Sequence, residues 1–389
     1  MPHCPDDSKI HVLFFLISQS VGGAELHTVT LANGLDKTRF RVSVIYLKNE
    51  LDGTDAVQGL SKDVLVSCAH VSKKIDIKAL RKLCRFVDRE SVDILVCTNE
   101  FALLYGWLTL KLSRSRVALA EVFHTTELRT WKARLQMTFY RRFFYAADLV
   151  VFVCEKQRAY WQSKKLLPRF SSVIHNGIDV ARFHNDFTSG DVFSLRTQFS
   201  FSTSDFVIGI CAALRPEKAH IDLLDALALL KGQGHVLKCL IIGDGPERKK
   251  IERAIDARGL RGDVAVTGFL PDVRKYVAAC DLMVLVSRYI ETFSLSALEA
   301  MALKKPIIMS EVGGAAEQVS HGHNGQLFPA GDIEALAKSI LEVKSANADG
   351  EMGVNARESV VERFSLDKML MKYDQTLLAL ARRNRECHP

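Results

Sequence analysis

The stretch that decides the fold is residues 287–325, which read S-R-Y-I-E-T-F-S-L-S-A-L-E-A-M-A-L-K-K-P-I-I-M-S-E-V-G-G-A-A-E-Q-V-S-H-G-H-N-G. An apolar strand at 281–287 leads into it, and apolar residues then recur at helical spacing over 293–303. A second apolar strand at 306–310 is followed by the tight turn Gly313-Gly314. Strands that alternate with helices in this way predict an α/β fold with parallel sheets.

Two glutamates and a helix N-terminus in this stretch predict a ligand site. The first amides of the helix have no partner inside it, so they suit an anion; they belong to Thr292, Phe293, Ser294 and Leu295. Glu291 precedes these amides, and Glu299 lies roughly two turns along the same helix face. We therefore expect Glu291 to bind ligand hydroxyls near a phosphate and Glu299 to reach a ribose. The alternative is a solvated face of the helix.

The same stretch resembles the donor-binding core of the family 4 glycosyltransferases. The motifs that carry the resemblance are Glu291-x-Phe293 with Glu299-Ala-Met-Ala302, Gly313-Gly314-x-x-Glu317 and Asn324-Gly325. The resemblance implies the GT-B architecture, in which two Rossmann-like, doubly wound parallel-sheet domains face each other across a cleft. It also implies transfer of a sugar from a nucleotide diphosphate to a hydroxyl acceptor, with retention of configuration.

Length and composition predict two domains. A chain of 389 residues is long enough for two cores of ordinary size. We predict an N-terminal acceptor-side domain at 1–185, a polar Ser/Thr-rich linker at 186–204 and a nucleotide-sugar domain at 205–369. The resemblance implies that a C-terminal helix, 370–389, packs back on the first domain.

Composition also bears on location. The chain is 48% hydrophobic and 25% charged, as in soluble globular proteins. No apolar run reaches the roughly 18 residues of a spanning helix, and the N-terminus predicts no signal peptide. The nine cysteines form no C-x-x-C pair, which indicates free thiols in a reducing compartment and no metal site. We predict a cytoplasmic protein, with peripheral attachment at the inner face of the membrane as a further option.

Two features of the first half indicate ligand contacts. A strand at 10–17 is followed by a loop and a helix, the start of a doubly wound unit. The resemblance implies that Gly22 and Gly23 in this loop approach the donor pyrophosphate and the acceptor; a turn without a ligand is the alternative. His124 follows a strand at 117–123, at the sheet edge where ligands bind. The resemblance implies that His124 contacts the donor sugar, and the alternative is that it only caps the turn.

The region 111–170 is strongly basic, with thirteen basic and four acidic residues. Within it, Leu128, Trp131, Leu135, Phe139 and Phe143 recur at helical spacing, with Arg134 and Arg141 on another face. Such a helix suits an anionic membrane surface, and the resembled enzymes often use lipid-linked acceptors. The alternative is that the aromatic residues are core. No nucleic-acid recognition motif accompanies the basic charge, so we predict no nucleic-acid partner.

The segment Leu214-Arg-Pro-Glu-Lys-Ala-His220 carries two cations directly after a strand at 206–213. Arg215 and Lys218 are thus placed to neutralise a diphosphate leaving group. The resembled family usually has an arginine five residues before the lysine, where this chain has Ala213. Arg215 is then a shifted substitute. Surface ion pairing by both residues is the alternative.

The loop 243–248, G-D-G-P-E-R, follows the strand 237–242. A dinucleotide-binding fingerprint needs glycine where the chain has Arg248, so a dehydrogenase loses its main support. The resemblance instead implies that Gly243 lies near the nucleotide and that Gly268 and Phe269 border the base. Family frequency favours a UDP-sugar donor, with a GDP-sugar as the second option.

The predicted chemistry uses no cofactor and no metal ion. Metal-dependent sugar transferases hold their cation with a D-x-D motif, which this sequence lacks. Cationic side chains and helix amides would neutralise the leaving diphosphate instead. The predicted acceptor is a glycan or a lipid-linked hydroxyl, in a polysaccharide or glycolipid route. Two alternatives stay open: a nucleotide-sugar epimerase or hydrolase of the same fold, and a non-catalytic nucleotide-sugar-binding protein.

Overall fold

The computed structural model describes residues 9–18, 23–48, 59–128, 130–347 and 350–386. The chain forms two compact units. The first contains Met1–His175 and Met369–Pro389, and the second contains Asn176–Lys368. Within the described ranges, every helix is too short or too polar to cross a membrane.

The first unit is built on a parallel sheet of seven strands in the order β3-β2-β1-β4-β5-β6-β7. The strands are β1 (Ile10–Leu16), β2 (Phe40–Tyr46), β3 (Leu65–Cys68), β4 (Ile94–Thr98), β5 (Ala118–Phe123), β6 (Leu149–Phe152) and β7 (Ser171–Val173). Both faces of β1, β4 and β5 are buried, which explains their almost uninterrupted apolar sequences. The helices of this unit are α1 (Gly23–Gly34), α2 (Ile77–Arg89), α3 (Glu100–Leu112), α4 (Trp131–Ala146) and α5 (Glu155–Ser163).

The second unit repeats this plan with a parallel sheet of six strands, β10-β9-β8-β11-β12-β13. The strands are β8 (Val207–Cys211), β9 (Lys238–Ile242), β10 (Val264–Val266), β11 (Leu282–Leu285), β12 (Ile307–Ser310) and β13 (Gly325–Phe328). The helices that follow α5 in the chain are α6 (Ser189–Gln198), α7 (His220–Gly232), α8 (Arg248–Ala257), α9 (Arg274–Ala278), α10 (Leu295–Ala302), α11 (Ala315–Gln318), α12 (Ile333–Ala346), α13 (Glu351–Arg363) and α14 (Leu366–Glu386). From Met369 onward, α14 belongs to the first unit.

Each sheet has one point at which the strand order reverses direction. In the first unit this switch point lies between β1 and β4, and in the second between β8 and β11. Because the strands of each sheet are parallel, their carboxyl ends share one edge. Ligands of doubly wound folds bind at that edge, at the switch point. The predicted α/β fold of two doubly wound units is therefore confirmed.

Some elements differ from the sequence-based expectation. The stretch 186–204 belongs to the second unit and holds α6, whose N-terminus has a capping box between Thr188 and Asp191. The buried Arg196 ties α6 to that unit, because its guanidinium donates to the Ala279 carbonyl and pairs with Asp281 at 2.8 Å. The boundary between the units falls earlier than predicted, after His175.

Candidate active site

Two predicted site residues lie together where β8 and β11 end. Lys218 closes the 3-10 turn Pro216–Lys218 that follows β8, and Glu291 follows β11. Lys218 Nζ lies 2.5 Å from Glu291 Oε2, and the two side chains are 22% and 13% exposed. The Ser287 hydroxyl donates to the same glutamate oxygen over 3.2 Å. The switch point of the second sheet thus carries one cation and one carboxylate in contact.

A second ion pair holds the loop that carries Lys218. The Arg288 guanidinium donates to both carboxylate oxygens of Asp222, over 2.8 and 2.7 Å, and the Asp222 side chain is buried. The Arg288 backbone N–H donates to the Glu217 carbonyl over 3.0 Å. A bidentate pair of this kind fixes geometry as well as charge. The loop after β8 is therefore tied to the residues that follow β11.

The backbone of Gly313 and Gly314 packs closely against the segment that carries Glu291. Gly313 has φ +54°, and a Cβ atom at this position would lie 1.7 Å from the Glu291 carbonyl oxygen. The Gly314 N–H donates to the Thr292 carbonyl over 2.8 Å. Only glycine fits such a close approach, and it adopts this left-handed conformation without strain. The Gly313-Gly314 motif thus sets the position of Glu291 through backbone contacts.

Helix α10 begins at Leu295, two residues later than predicted, because Ser294 is its N-cap. The Ser294 hydroxyl accepts from the Ala297 N–H, and the Ser294 N–H donates to the buried Gln318 amide over 3.0 Å. The Ser294 N–H is therefore used inside the protein and is not the open donor that the sequence predicted. The helix N-terminus itself, with Leu295 in its first turn, remains suited to an anion.

Phe293 is a framework residue, while Thr292 is half-buried before the helix. The Phe293 ring is buried against Phe364, with ring centroids 5.3 Å apart. Its carbonyl accepts from the buried Asn176 side-chain amide over 2.9 Å. A ligand contact by Thr292 or Phe293 through the backbone stays a prediction.

Glu299 is half-buried on α10. Burial raises its pKa to about 7, Arg182 acts in the opposite direction, and Asp272 adds a smaller increase. The pKa of Cys211, at the end of β8, is raised to about 12. Burial is the larger cause, and the negative charge of Glu299 is the next. Glu299 therefore belongs to the carboxyl edge of the sheet and titrates near neutral pH.

The loops after β9 and β10 meet through Gly243 and Gly268, which form an antiparallel bridge. A Cβ atom on Gly243 would lie 2.1 Å from the Ala212 carbonyl oxygen, so this position admits only glycine. Phe269 follows the bridge with 67% of its surface exposed. Arg248 forms ion pairs with Asp244 and with Glu252, four residues before and after it. The arginine thus has surface partners at the position where a dinucleotide-binding fingerprint needs glycine.

Arg215 is exposed at the start of the 3-10 turn, three residues before Lys218. It borders a cavity of about 280 Å³ together with Lys250 and Arg288. Within the part of the chain that the structure describes, no carboxylate pairs with the Arg215 guanidinium. The shifted arginine is thus available to an anionic ligand, while its role stays a prediction.

His124 follows β5 at the carboxyl edge of the first sheet. Its ring packs edge-on against His27 with centroids 5.0 Å apart, and His27 packs in the same way against Tyr373 at 5.6 Å. Burial lowers the His124 pKa to about 4, so the imidazole is neutral at pH 7. A neutral imidazole can donate one hydrogen bond and accept another, which suits contact with a sugar hydroxyl.

The turn after His124 is held by hydrogen bonds. The Thr125 hydroxyl donates to Glu100 over 3.0 Å, and the Thr125 carbonyl accepts from Gln157 and Trp161 over 3.0 and 2.9 Å. Gly22 lies outside the described residues. Gly23 begins α1, and a Cβ atom there would meet nothing within 4 Å. Packing alone therefore does not require glycine at 23.

Asn99 is not among the predicted site residues, and it joins β4 to α3 beside the switch point of the first sheet. Asn99 has φ 75° and ψ 159°, a conformation that is nearly restricted to glycine, and its side chain makes no capping bond. The neighbouring Glu121 is fully buried on β5, and burial, followed by the charge of Glu100, raises its pKa well above the usual range. An asparagine between a buried strand and a helix is the N-cap signal that would have located this junction.

Solved structures show which fold this chain shares. HepE of Anabaena in complex with UDP superposes with a TM-score of 0.84 at 24% identity, over 95% of this chain and 100% of that one. A glycosyltransferase from Rickettsia africae ESF-5 gives a TM-score of 0.79 at 19% identity, over 96% and 98%. At these identities the likeness concerns the fold. With two doubly wound sheets and the site described above, the fold is that of the GT-B glycosyltransferases.

Sequence comparison then gives the family. The Glycosyl transferases group 1 model matches residues 192–359, and the Glycosyltransferase Family 4 model matches 21–182. N-acetyl-alpha-D-glucosaminyl L-malate synthase of Bacillus anthracis is 26% identical over 77% of this chain and 78% of its own. Poly(ribitol-phosphate) alpha-N-acetylglucosaminyltransferase of Staphylococcus aureus (strain COL) is 28% identical over 51% of this chain but only 40% of its own. The chain belongs to the family 4 glycosyltransferases.

Proposed function

We propose that this glycosyltransferase moves a sugar from a nucleotide diphosphate to a hydroxyl acceptor, with retention of configuration. A UDP-sugar is the preferred donor and a GDP-sugar the second choice. The observation that supports this most directly is the contact between Lys218 and Glu291 at the switch point of the second sheet. It brings a cation for a diphosphate and a carboxylate for sugar hydroxyls to the edge where such ligands bind.

The proposed chemistry breaks the bond between the anomeric carbon and the oxygen of the distal phosphate and forms a bond from the acceptor hydroxyl oxygen to that carbon. The proton of the acceptor hydroxyl leaves with the diphosphate. Negative charge then develops on the leaving diphosphate, and preorganised donors that meet it lower the barrier. Lys218, Arg215 and the N-terminus of α10 are assigned this role. Because these groups supply the positive charge, the proposal includes no metal ion.

The remaining residues would bind the donor without taking part in bond cleavage. When the donor enters, Lys218 exchanges its contact with Glu291 for the diphosphate, which leaves Glu291 to accept hydrogen bonds from the sugar. Glu299 is assigned to the ribose, and the exposed Phe269 with Gly268 to the base. His124, in the first unit, is proposed as the neutral partner of a donor-sugar hydroxyl.

The proposed acceptor is a hydroxyl on a glycan or on a lipid-linked sugar, with an anionic membrane surface as a partner. Helix α4 supports the membrane contact, because Trp131, Leu135 and Phe139 are exposed on one stripe. Arg142 lies over the Phe139 ring at 4.7 Å and adds positive charge beside that stripe. A cytoplasmic, peripherally attached enzyme is the location that fits this proposal.

The first test is a thermal-shift and turnover screen of UDP-, GDP- and ADP-sugars with lipid-extract and glycan acceptors. We expect one nucleotide class to stabilise the protein and its sugar label to move into an acceptor. Sugar that is freed or epimerised equally fast without acceptor would instead indicate the hydrolase or epimerase. Binding without turnover across the panel would indicate a non-catalytic protein, and no stabilisation by any nucleotide would refute the site.

The second test is Lys218→Ala. We expect turnover to fall by about 100-fold or more, since one preorganised donor to a leaving group contributes that much. Lys338→Ala is the matched control, because Lys338 lies on α12, pairs with Glu342 at the surface and is not among the residues that line the cavity beside Arg215. It should leave turnover near that of the wild type. Near-normal transfer by a folded Lys218→Ala variant would remove Lys218 from the leaving-group role.

A further inference from the structure

The first unit has an open apolar groove that the donor site does not use. The groove has a volume of about 760 Å³, within the range of small-molecule binding sites. It lies between α4, the start of α3 and the residues that precede α2. Its apolar lining includes Ile75, Phe101, Leu104, Trp131, Leu135 and Phe139.

Three of the lining residues on α4 are exposed and lie outside the core. Trp131, Leu135 and Phe139 are 70%, 65% and 46% exposed, and Ile75 opposite them is 58% exposed. Helix α4 packs on the sheet through another face, which buries Met137, Phe143 and Phe144. The fold therefore does not require large apolar side chains on the outer stripe. A contiguous exposed apolar patch of this kind marks a binding surface.

The charge around the groove has one sign. Lys48, Lys74 and Lys132 line it, and no aspartate or glutamate is among its lining residues in the described part of the chain. Two of these ammonium groups lie over groove rings: Lys48 is 5.7 Å from the centroid of Phe101, and Lys132 is 5.9 Å from that of Trp131. An occupant that matches this surface has an apolar body and a negative group beside it.

One end of the groove adjoins the ligand edge of the first sheet. Phe101 follows Glu100 at the beginning of α3, directly after β4. Glu100 accepts from the Thr125 hydroxyl, which is next to His124 at the end of β5. A molecule with its apolar part in the groove would therefore present its other end to the carboxyl edge of β4 and β5.

We infer that this groove binds the alkyl chain of an anionic amphiphile, and that this amphiphile is the acceptor. The alkyl chain of the amphiphile lies along α4. The phosphate of the amphiphile faces the three lysines, and its hydroxyl-bearing head group reaches the edge of the sheet. The inference rests on the proposed function and narrows it, because it selects a lipid phosphate over a free glycan.

The experiment measures binding of dodecyl phosphate, below its micellar concentration, to the full chain by calorimetry and by tryptophan emission, and a Trp131→Phe variant gives the share of the emission that comes from Trp131. We expect saturable binding with a blue shift, because Trp131 leaves water. Octyl phosphate should bind at least about tenfold more weakly. Its shorter chain has fewer methylenes to transfer from water into the groove, and each such transfer is favourable. Dodecyl maltoside, with the same chain and no charge, should also bind more weakly, by about tenfold.

Two variants test the place of binding. Leu135→Glu puts a charge in the middle of the groove on an exposed helical site, so the fold should survive while affinity falls at least about tenfold. Leu112→Glu is the matched control: Leu112 is 61% exposed on the neighbouring α3 and is not among the lining residues of the groove. It should bind dodecyl phosphate as the wild type does.

Several results would overturn the inference. These are equal loss in both variants, no dependence on chain length, binding only to anionic vesicles, and a groove that is occupied by a second copy of the chain. UDP stabilisation, measured on the same samples, separates this failure from that of the proposed function. Binding of UDP without binding of dodecyl phosphate would support the donor site and refute the lipid groove. Binding of dodecyl phosphate without binding of UDP would refute the donor site and leave the groove supported.

Discussion

The residue between Lys218 and α7 shows how the predicted diphosphate loop is strained. Ala219 has φ 49° and ψ 39°, in the left-handed region, and is buried. For a residue with a Cβ atom this conformation costs about 1–2 kcal/mol. The loop retains it because the 3-10 turn must end there for α7 to start.

We predict that Ala219→Gly raises the free energy of unfolding. Glycine relieves the left-handed strain but loses more chain entropy on folding, so the net gain is about 1 kcal/mol. Urea unfolding followed by circular dichroism measures it. The control is Ala226→Gly, in the buried interior of α7, which should lose at least about 1 kcal/mol. A loss in both variants would show that position 219 is not strained.

At the scale of the element, the proposed ribose contact of Glu299 on α10 predicts that donor binding depends on pH. Its Glu299 has a pKa raised to about 7, chiefly by burial. This pKa lies above that of a glutamate in the unfolded chain. Glu299 therefore adds to the free energy of unfolding at low pH, and that contribution is lost as the pH rises through 7. The proposed ribose contact would depend on pH in the opposite direction, since the ionised carboxylate is the form that accepts hydrogen bonds from both hydroxyls.

We predict that affinity for a UDP-sugar, whose diphosphate is fully ionised across the pH range used, rises with pH until about 7.5 and then levels. Below pH 7 it should fall by up to about tenfold per unit, as protonation of one group allows. Isothermal titration from pH 5.5 to 8.5 checks this. Glu299→Gln should bind weakly with a flat profile across that range, and Glu342→Gln on the exposed face of α12 should keep the wild-type profile. An unchanged slope in Glu299→Gln would assign the dependence to another group.

At the scale of the whole molecule, the C-terminal helix α14 completes the first unit. Met369, Tyr373 and Leu377 are almost fully buried. The α14 residue Leu370 covers Gly34, where a Cβ atom would lie 2.5 Å from a leucine methyl group. The Tyr373 hydroxyl contacts His27 Nε2 at 3.4 Å, beneath His124 in the ring stack. The last helix thus closes a core that the first 175 residues leave open.

We predict that truncation after Lys368 destabilises the first unit selectively. Truncation removes several side chains that are buried in the full chain. The burial of each contributes about 1.5–3 kcal/mol to the free energy of unfolding. Hydrogen exchange should show faster exchange in β1, β2 and α1, with β8 to β13 nearly unchanged. A control chain that ends at Glu386 should behave as the full chain does. Uniform loss of protection in both units would contradict this division.

Local pattern determined most of the fold. The buried parallel strands are continuous apolar runs, and the helices between them have apolar spacing, so both periodicities are visible without tertiary contacts. The motifs at 291–299 and 214–218 are predicted as site residues for the same reason, because each directly follows an apolar strand. The ends of elements were less certain: Ser294 became an N-cap rather than a ligand donor because it meets the buried Gln318, 24 residues away.

Only the tertiary structure decided which of these residues meet and which side chains are exposed. Lys218 and Glu291 are 73 residues apart, and the parallel pairing of β8 with β11 brings their charged atoms together. The spacing of aromatic residues in α4 was equally consistent with core packing and with a surface stripe. The fold buries Phe143 and leaves Trp131 and Leu135 in water. Sequence period fixes the face of a helix on which a residue lies, but only packing determines what covers that face.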